Sequence, residues 1–133
     1  MIIKSILKFV IVFISIGFIF ISNTAKGDDG YKLLKRCDSF VKALDGAKDL
    51  SNNELAGATD CAGFMQGITS LNMYYRLKGN VNVFFCLPKD GVNNAQAARI
   101  VLQYLRDHPE KLHRSESTLT IAALMEMFSC PGK

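Results

Sequence analysis

This chain has little of what catalysis usually needs. Its 133 residues hold two histidines, His108 and His113, five positions apart with Pro109 between them. That spacing does not give the i, i+4 face of a zinc-binding helical pair. The four cysteines, Cys37, Cys61, Cys86 and Cys130, form no CxxC pair. Structural zinc sites bring their ligands in close pairs, and thiol-redox motifs do the same. No glycine-rich phosphate loop follows a strand. Asp107 and Glu110 are a carboxylate pair by position, but they read better as solvated charges at a helix end. The sequence gives no reason to expect an enzyme, and none to expect a metal or a cofactor.

A clustered basic face is missing too. Lys4, Lys8 and Lys26 account for three of the 16 lysines and arginines, and the other 13 nearly balance the 12 acidic residues. Nucleic-acid binders carry a basic stripe or patch, so that class is disfavoured.

What the chain does have begins with an export signal. Lys4 and Lys8 make a basic start, and Phe9 to Ile21 is an apolar run of about 13 residues, short for a bilayer span and suited to a secretory signal. Ala25-Lys26-Gly27 offers small residues for cleavage before Asp28. The competing reading is an uncleaved anchor; with no cysteine at the cleavage position, a lipoprotein is disfavoured. Residues 1–27 are thus expected to be a signal peptide and 28–133 one small domain in the periplasm.

An even cysteine count in a small exported chain predicts two disulfides. Periodicity predicts four helices around them. Leu33, Leu34, Cys37, Phe40, Val41 and Leu44 recur at helical spacing and stop near Gly46. Ser51 to Glu54 forms a capping box, and a long helix follows, with Cys61, Phe64, Met65, Ile68, Leu71, Asn72 and Tyr75 on one stripe, ending near Gly79. Asn93 or Asn94 caps a third helix that ends before Pro109. Ser115 caps a fourth, with Ile121, Leu124, Met125 and Phe128 inward, ending at Cys130-Pro131. The fold class is all-α, a compact bundle of about four helices. If successive helices form antiparallel hairpins, Cys37 and Cys61 stand at one height, and Cys86 and Cys130 share the open end of the second hairpin. The expected bridges are therefore Cys37–Cys61 and Cys86–Cys130.

Gly63 and Gly67 are costly inside a helix. With Thr59 and Ser70 they leave a flat strip, expected to seat a neighbouring helix of the same chain, with a dimer contact as the alternative. The stretch from Val81 to Pro88 reads as an extended connection pinned by Cys86. Phe84 and Phe85 are expected to be core plugs, or else an exposed anchor. Tyr74, Tyr75 and Arg76 are residue types enriched at interface hot spots.

Four short strings in order carry a family likeness. They are Cys61-Ala62-Gly63-Phe64-Met65-Gln66-Gly67, Cys86-Leu87-Pro88, Tyr104-Leu105-Arg106-Asp107-His108-Pro109-Glu110 with His113, and Phe128-Ser129-Cys130. Together they resemble the Rap/Tai family, which contains immunity proteins against type VI secretion amidases; the family often has proline where this chain has Ser129. The resemblance implies a periplasmic, disulfide-bonded helical protein, commonly a homodimer. It would bind a papain-like cysteine amidase and block its peptidoglycan-cleaving groove. By position, the turn from Asp107 to Arg114, with His108, Glu110 and His113, is the first candidate for the blocking loop. Tyr74 to Arg76 is the second. The competing expectation, from a different class, is a small periplasmic stress or chaperone-type module that exposes apolar surface on acidification.

Overall fold

The computed structural model describes residues 29–79 and 83–131; the expected signal peptide lies outside them. Four α-helices follow one another: α1 Gly30–Leu44, α2 Asn52–Lys78, α3 Asn94–Asp107 and α4 Glu116–Met127, with a 3₁₀ turn at Pro109–Lys111. The single β-type contact among the described residues is an isolated bridge between Asp29 and Ser115.

Each helix starts where its sequence offers an oxygen. Asp29, Ser51, Asn93 and Ser115 accept from the backbone N–H three residues on, satisfying one orphan donor apiece. At Ser51 the capping box is complete, because the Glu54 carboxylate accepts the Ser51 N–H at 2.9 Å. Two of the helices stop on glycine: Gly46 (φ +87°) follows α1 and Gly79 (φ +68°) follows α2, in the left-handed region that costs glycine little.

The core lies between α1, α2 and the α3–α4 hairpin. Leu33, Cys37, Cys61, Met65, Phe85, Leu105, Leu119 and Leu124 are all excluded from solvent there. Ala97 and Ala98 are equally buried, and their short side chains let a neighbouring helix come close to α3. Both expected disulfides are present. Cys37–Cys61 joins α1 to α2 with Cα atoms 5.2 Å apart, and Cys86–Cys130 joins the connection before α3 to the end of α4 at 5.0 Å. Across the α1–α3 seam, Asp38 meets Arg106 and Asp45 meets Arg99.

Four sequence expectations need correction. Gly63 and Gly67 do not seat a helix: a Cβ at either would meet nothing within 4 Å. Within α2 the glycine that faces a neighbour is Gly57, where a Cβ would make an ordinary contact 3.4 Å from Arg36 Cγ. Secondly, α4 ends at Met127 rather than at Cys130. Its last carbonyls are diverted, with Phe128 O accepting the Cys86 N–H at 2.8 Å beside the disulfide. Thirdly, Leu44, Leu71 and Met125 are exposed although their spacing placed them inward. In α2 the buried stripe runs through Ala58, Cys61, Met65, Thr69 and Asn72, and Leu71 falls beside it. Finally, Phe84 and Phe85 divide the two roles offered to them: Phe85 is 1% exposed and Phe84 57%.

Candidate partner-binding surface

The turn between α3 and α4 is short and heavily braced. Lys111 N–H donates to His108 O at 3.0 Å, Leu112 N–H to Pro109 O at 3.3 Å, and Arg114 N–H to Lys111 O at 2.9 Å. Pro109 opens the 3₁₀ turn, where its missing N–H costs nothing. Leu112 drops into the core as an anchor. From the other side, the Gly30 N–H donates to Arg114 O at 3.0 Å. A side chain at Gly30 would collide with a Leu119 methyl and stand 2.9 Å from Leu112 O. Gly30 thus lets α1 close against the far end of the turn, a role the sequence reading did not assign.

Asp107, Pro109, Glu110, His113 and Arg114 all present exposed side chains from this frame. His108 is half-buried, its ring 4.4 Å from that of Tyr104 and its Nδ1 3.2 Å from Glu110 Oε1. The Glu110 carboxyl is held below its ordinary range, chiefly by its own backbone N–H and then by His108. The Gln103 amide donates to both Asp107 oxygens at 2.9 Å. Lys111 folds back, with Nζ 5.2 Å over the Tyr104 ring and 3.3 Å from its hydroxyl. His108 and Glu110 are therefore tied to each other, Asp107 is held by Gln103, and His113 stands exposed farther along the turn. The Tyr104–Lys111 clasp was not legible, because seven positions and a helix end separate the pair.

Tyr74, Tyr75 and Arg76 make different contacts. Successive helical residues face different ways, and the three are used differently. Tyr74 is exposed, with Lys78 Nζ 5.5 Å over its ring and the ring of Tyr75 edge-on at 5.9 Å. Arg76 reaches into the connection and donates to Leu87 O at 2.7 Å. One helical turn earlier, Asn72 does the same for Phe85 O at 2.9 Å. Pro88 and Gly91 close the next turn, with the Gly91 N–H on Pro88 O at 3.0 Å and Gly91 at φ +76°. Tyr74 lines a hollow with Leu87 and Val92 near the start of α3. The two candidate surfaces thus lie at opposite ends of α3, roughly 20 Å apart along its axis.

Among the described residues no group of three or more His, Cys, Asp or Glu could hold a metal ion, and no helix is long and apolar enough to cross a membrane. The described residues form a small all-helical domain, stapled by two disulfides and presenting a braced polar turn. The family follows from comparison: the chain belongs to the Rap1a immunity proteins, whose family model matches residues 29–130. Proteins of this family are typically periplasmic and generally non-enzymatic. No curated protein and no solved structure matches the chain.

Proposed function

We propose that this protein is a periplasmic immunity protein that binds a type VI secretion effector, a papain-like cysteine amidase acting on peptidoglycan, and occludes its active-site groove. The observation that carries the reading is the braced turn from Asp107 to Arg114. It joins two helices, offers exposed polar side chains, and is fixed by its own hydrogen bonds and by Gly30. An occluding element gains by such bracing, since little conformational entropy remains to be lost when it enters a cleft. Inhibition of this kind is stoichiometric and needs no catalytic group.

Residues 1–27 serve as the export signal in this reading, and the periplasm supplies the oxidising conditions that two disulfides require. The solvent-facing strip of Thr59, Gly63, Gly67 and Ser70 suits close approach of a second copy, so a homodimer is part of the proposal. Tyr74 supplies a second, independent contact for the effector.

The test is protection in cells. A periplasm-directed amidase is expressed with or without this protein, exported or retained in the cytoplasm. Survival is expected only with the exported form. Equal lysis in all three cultures would contradict the reading.

A further inference from the structure

Beside the braced turn, the face of the α3–α4 hairpin holds a groove of about 280 Å³. Ile100, Tyr104 and Met127 give it apolar walls, and His108 stands at its end of the turn. Two exposed carboxylates line it, Asp107 from α3 and Glu126 from α4. No lysine or arginine lines it. Arg106 is paired with Asp38 on α1, and Lys111 folds over the Tyr104 ring and donates to its hydroxyl.

We infer that this groove receives a basic side chain, arginine in preference to lysine, from the protein partner. Charge complementarity selects the occupant. An anion would meet two carboxylates, and an apolar side chain would desolvate them without compensation. A guanidinium answers both demands, because its plane stacks on aromatic faces while its fork of N–H donors reaches carboxylates. The Lys111 ammonium, 5.2 Å over the Tyr104 ring, shows that this ring accepts a cation, and an arriving guanidinium would take its place there. The inference deepens the immunity reading, which supplies the partner, by giving that partner's contact surface an arginine beside the point where the turn enters.

Amide spectra of the purified, oxidised protein test it without any amidase, so the two readings fail separately. N-acetyl-arginine amide is titrated in, and N-acetyl-citrulline amide serves as the neutral isostere. Saturable shifts are expected at Tyr104, Asp107, His108 and the Gln103 side-chain amide. Citrulline should bind at least about tenfold more weakly, the equivalent of one charge-assisted contact. The double variant Asp107→Asn, Glu126→Gln should lose the arginine response while its other resonances stay in place. Equal responses to arginine and citrulline, shifts centred elsewhere, or no saturable response would each overturn the inference. The citrulline comparison needs no variant, so it stands even if the double variant does not fold.

Discussion

The N–H of Gly30 donates to the carbonyl of Arg114 at 3.0 Å, so the first residue of α1 clamps the far end of the turn proposed to block the effector. That clamp depends on a missing side chain, since a Cβ would collide with Leu119 and stand 3.0 Å from Leu112 Cα. Gly30→Ala is therefore expected to destabilise the protein by about 1–3 kcal/mol, the usual cost of overpacking. Thermal unfolding checks it, with a shift of roughly 4–8 °C expected per kcal/mol in a domain of this size. An unchanged midpoint would show that the turn is not clamped there.

Gly63 and Gly67 should behave in the opposite way. Each is exposed inside α2 with open space where a Cβ would go, so Ala at either site is expected to stabilise the monomer by about 0.4–1 kcal/mol. Sedimentation of Gly63→Ala and Gly67→Ala then separates the two sides of the proposal. More stable folding with weaker self-association places the strip in a dimer contact, whereas unchanged association removes the strip from the homodimer proposal.

The polar ties that hold the connection before α3 should matter more than their exposure suggests. Asn72 donates to Phe85 O, and Phe85 is buried. Asn72→Ala leaves that carbonyl without its donor, and an unsatisfied buried group costs about 1–3 kcal/mol. Chemical denaturation is the measurement. A loss below a few tenths would mean that the carbonyl finds another partner.

The two disulfides differ in access. Cys37 and Cys61 are fully buried, whereas Cys86 and Cys130 are half-buried. Graded reduction with mass-spectrometric trapping is expected to open Cys86–Cys130 first. Each bridge closes a long loop, 24 and 44 residues in sequence separation, so loss of either should cost roughly 3–4 kcal/mol by loop entropy. Simultaneous opening would contradict the difference in burial.

Acid should weaken the fold gradually. Lys42 and then Arg106 hold the Asp38 carboxyl below its ordinary value, Arg99 does so for Asp45, and the Ser51 backbone N–H and hydroxyl do so for Glu54. With Glu110, these groups bind protons less tightly when folded than when unfolded. Their contribution is complete above the ordinary carboxylate range and is lost as pH falls through it and below. Stability should be flat from pH 8 to about 5 and decline below about 4, shallowly, because exposed pairs are well screened. Denaturant midpoints at pH 7, 5 and 3 check this. A sharp transition between pH 7 and 5 would instead favour an acid-triggered chaperone-type module.

Much of the fold was legible because it is written in local chemistry. Caps at Ser51, Asn93 and Ser115, stops at Gly46 and Gly79, and the heights of the four cysteines each follow from neighbours in sequence. What failed was long-range. Helical periodicity marked Leu71 as inward, but it cannot say which edge of the stripe the neighbours leave open, and the buried line passes through Asn72 instead. Gly63 and Gly67 showed that something was tolerated in α2 without showing which face lacked a neighbour, while the glycine that does pack, Gly57, sits one turn and a half earlier. For the candidate surface, the residue types from Asp107 to His113 were visible. Their bracing by Gly30 and the Tyr104–Lys111 clasp were not, since both join segments that only the folded chain brings together. The hydrogen bond from the Arg76 guanidinium to Leu87 O was not legible either, for the same reason.

The most direct test of the central claim is a titration of the purified protein into a papain-like peptidoglycan amidase encoded beside its gene, with cleavage of purified peptidoglycan as the readout. The occlusion account predicts that cleavage falls linearly to zero at a fixed molar ratio, and that His108→Ala with Glu110→Ala weakens inhibition without unfolding the protein. Full cleavage at excess inhibitor would contradict it.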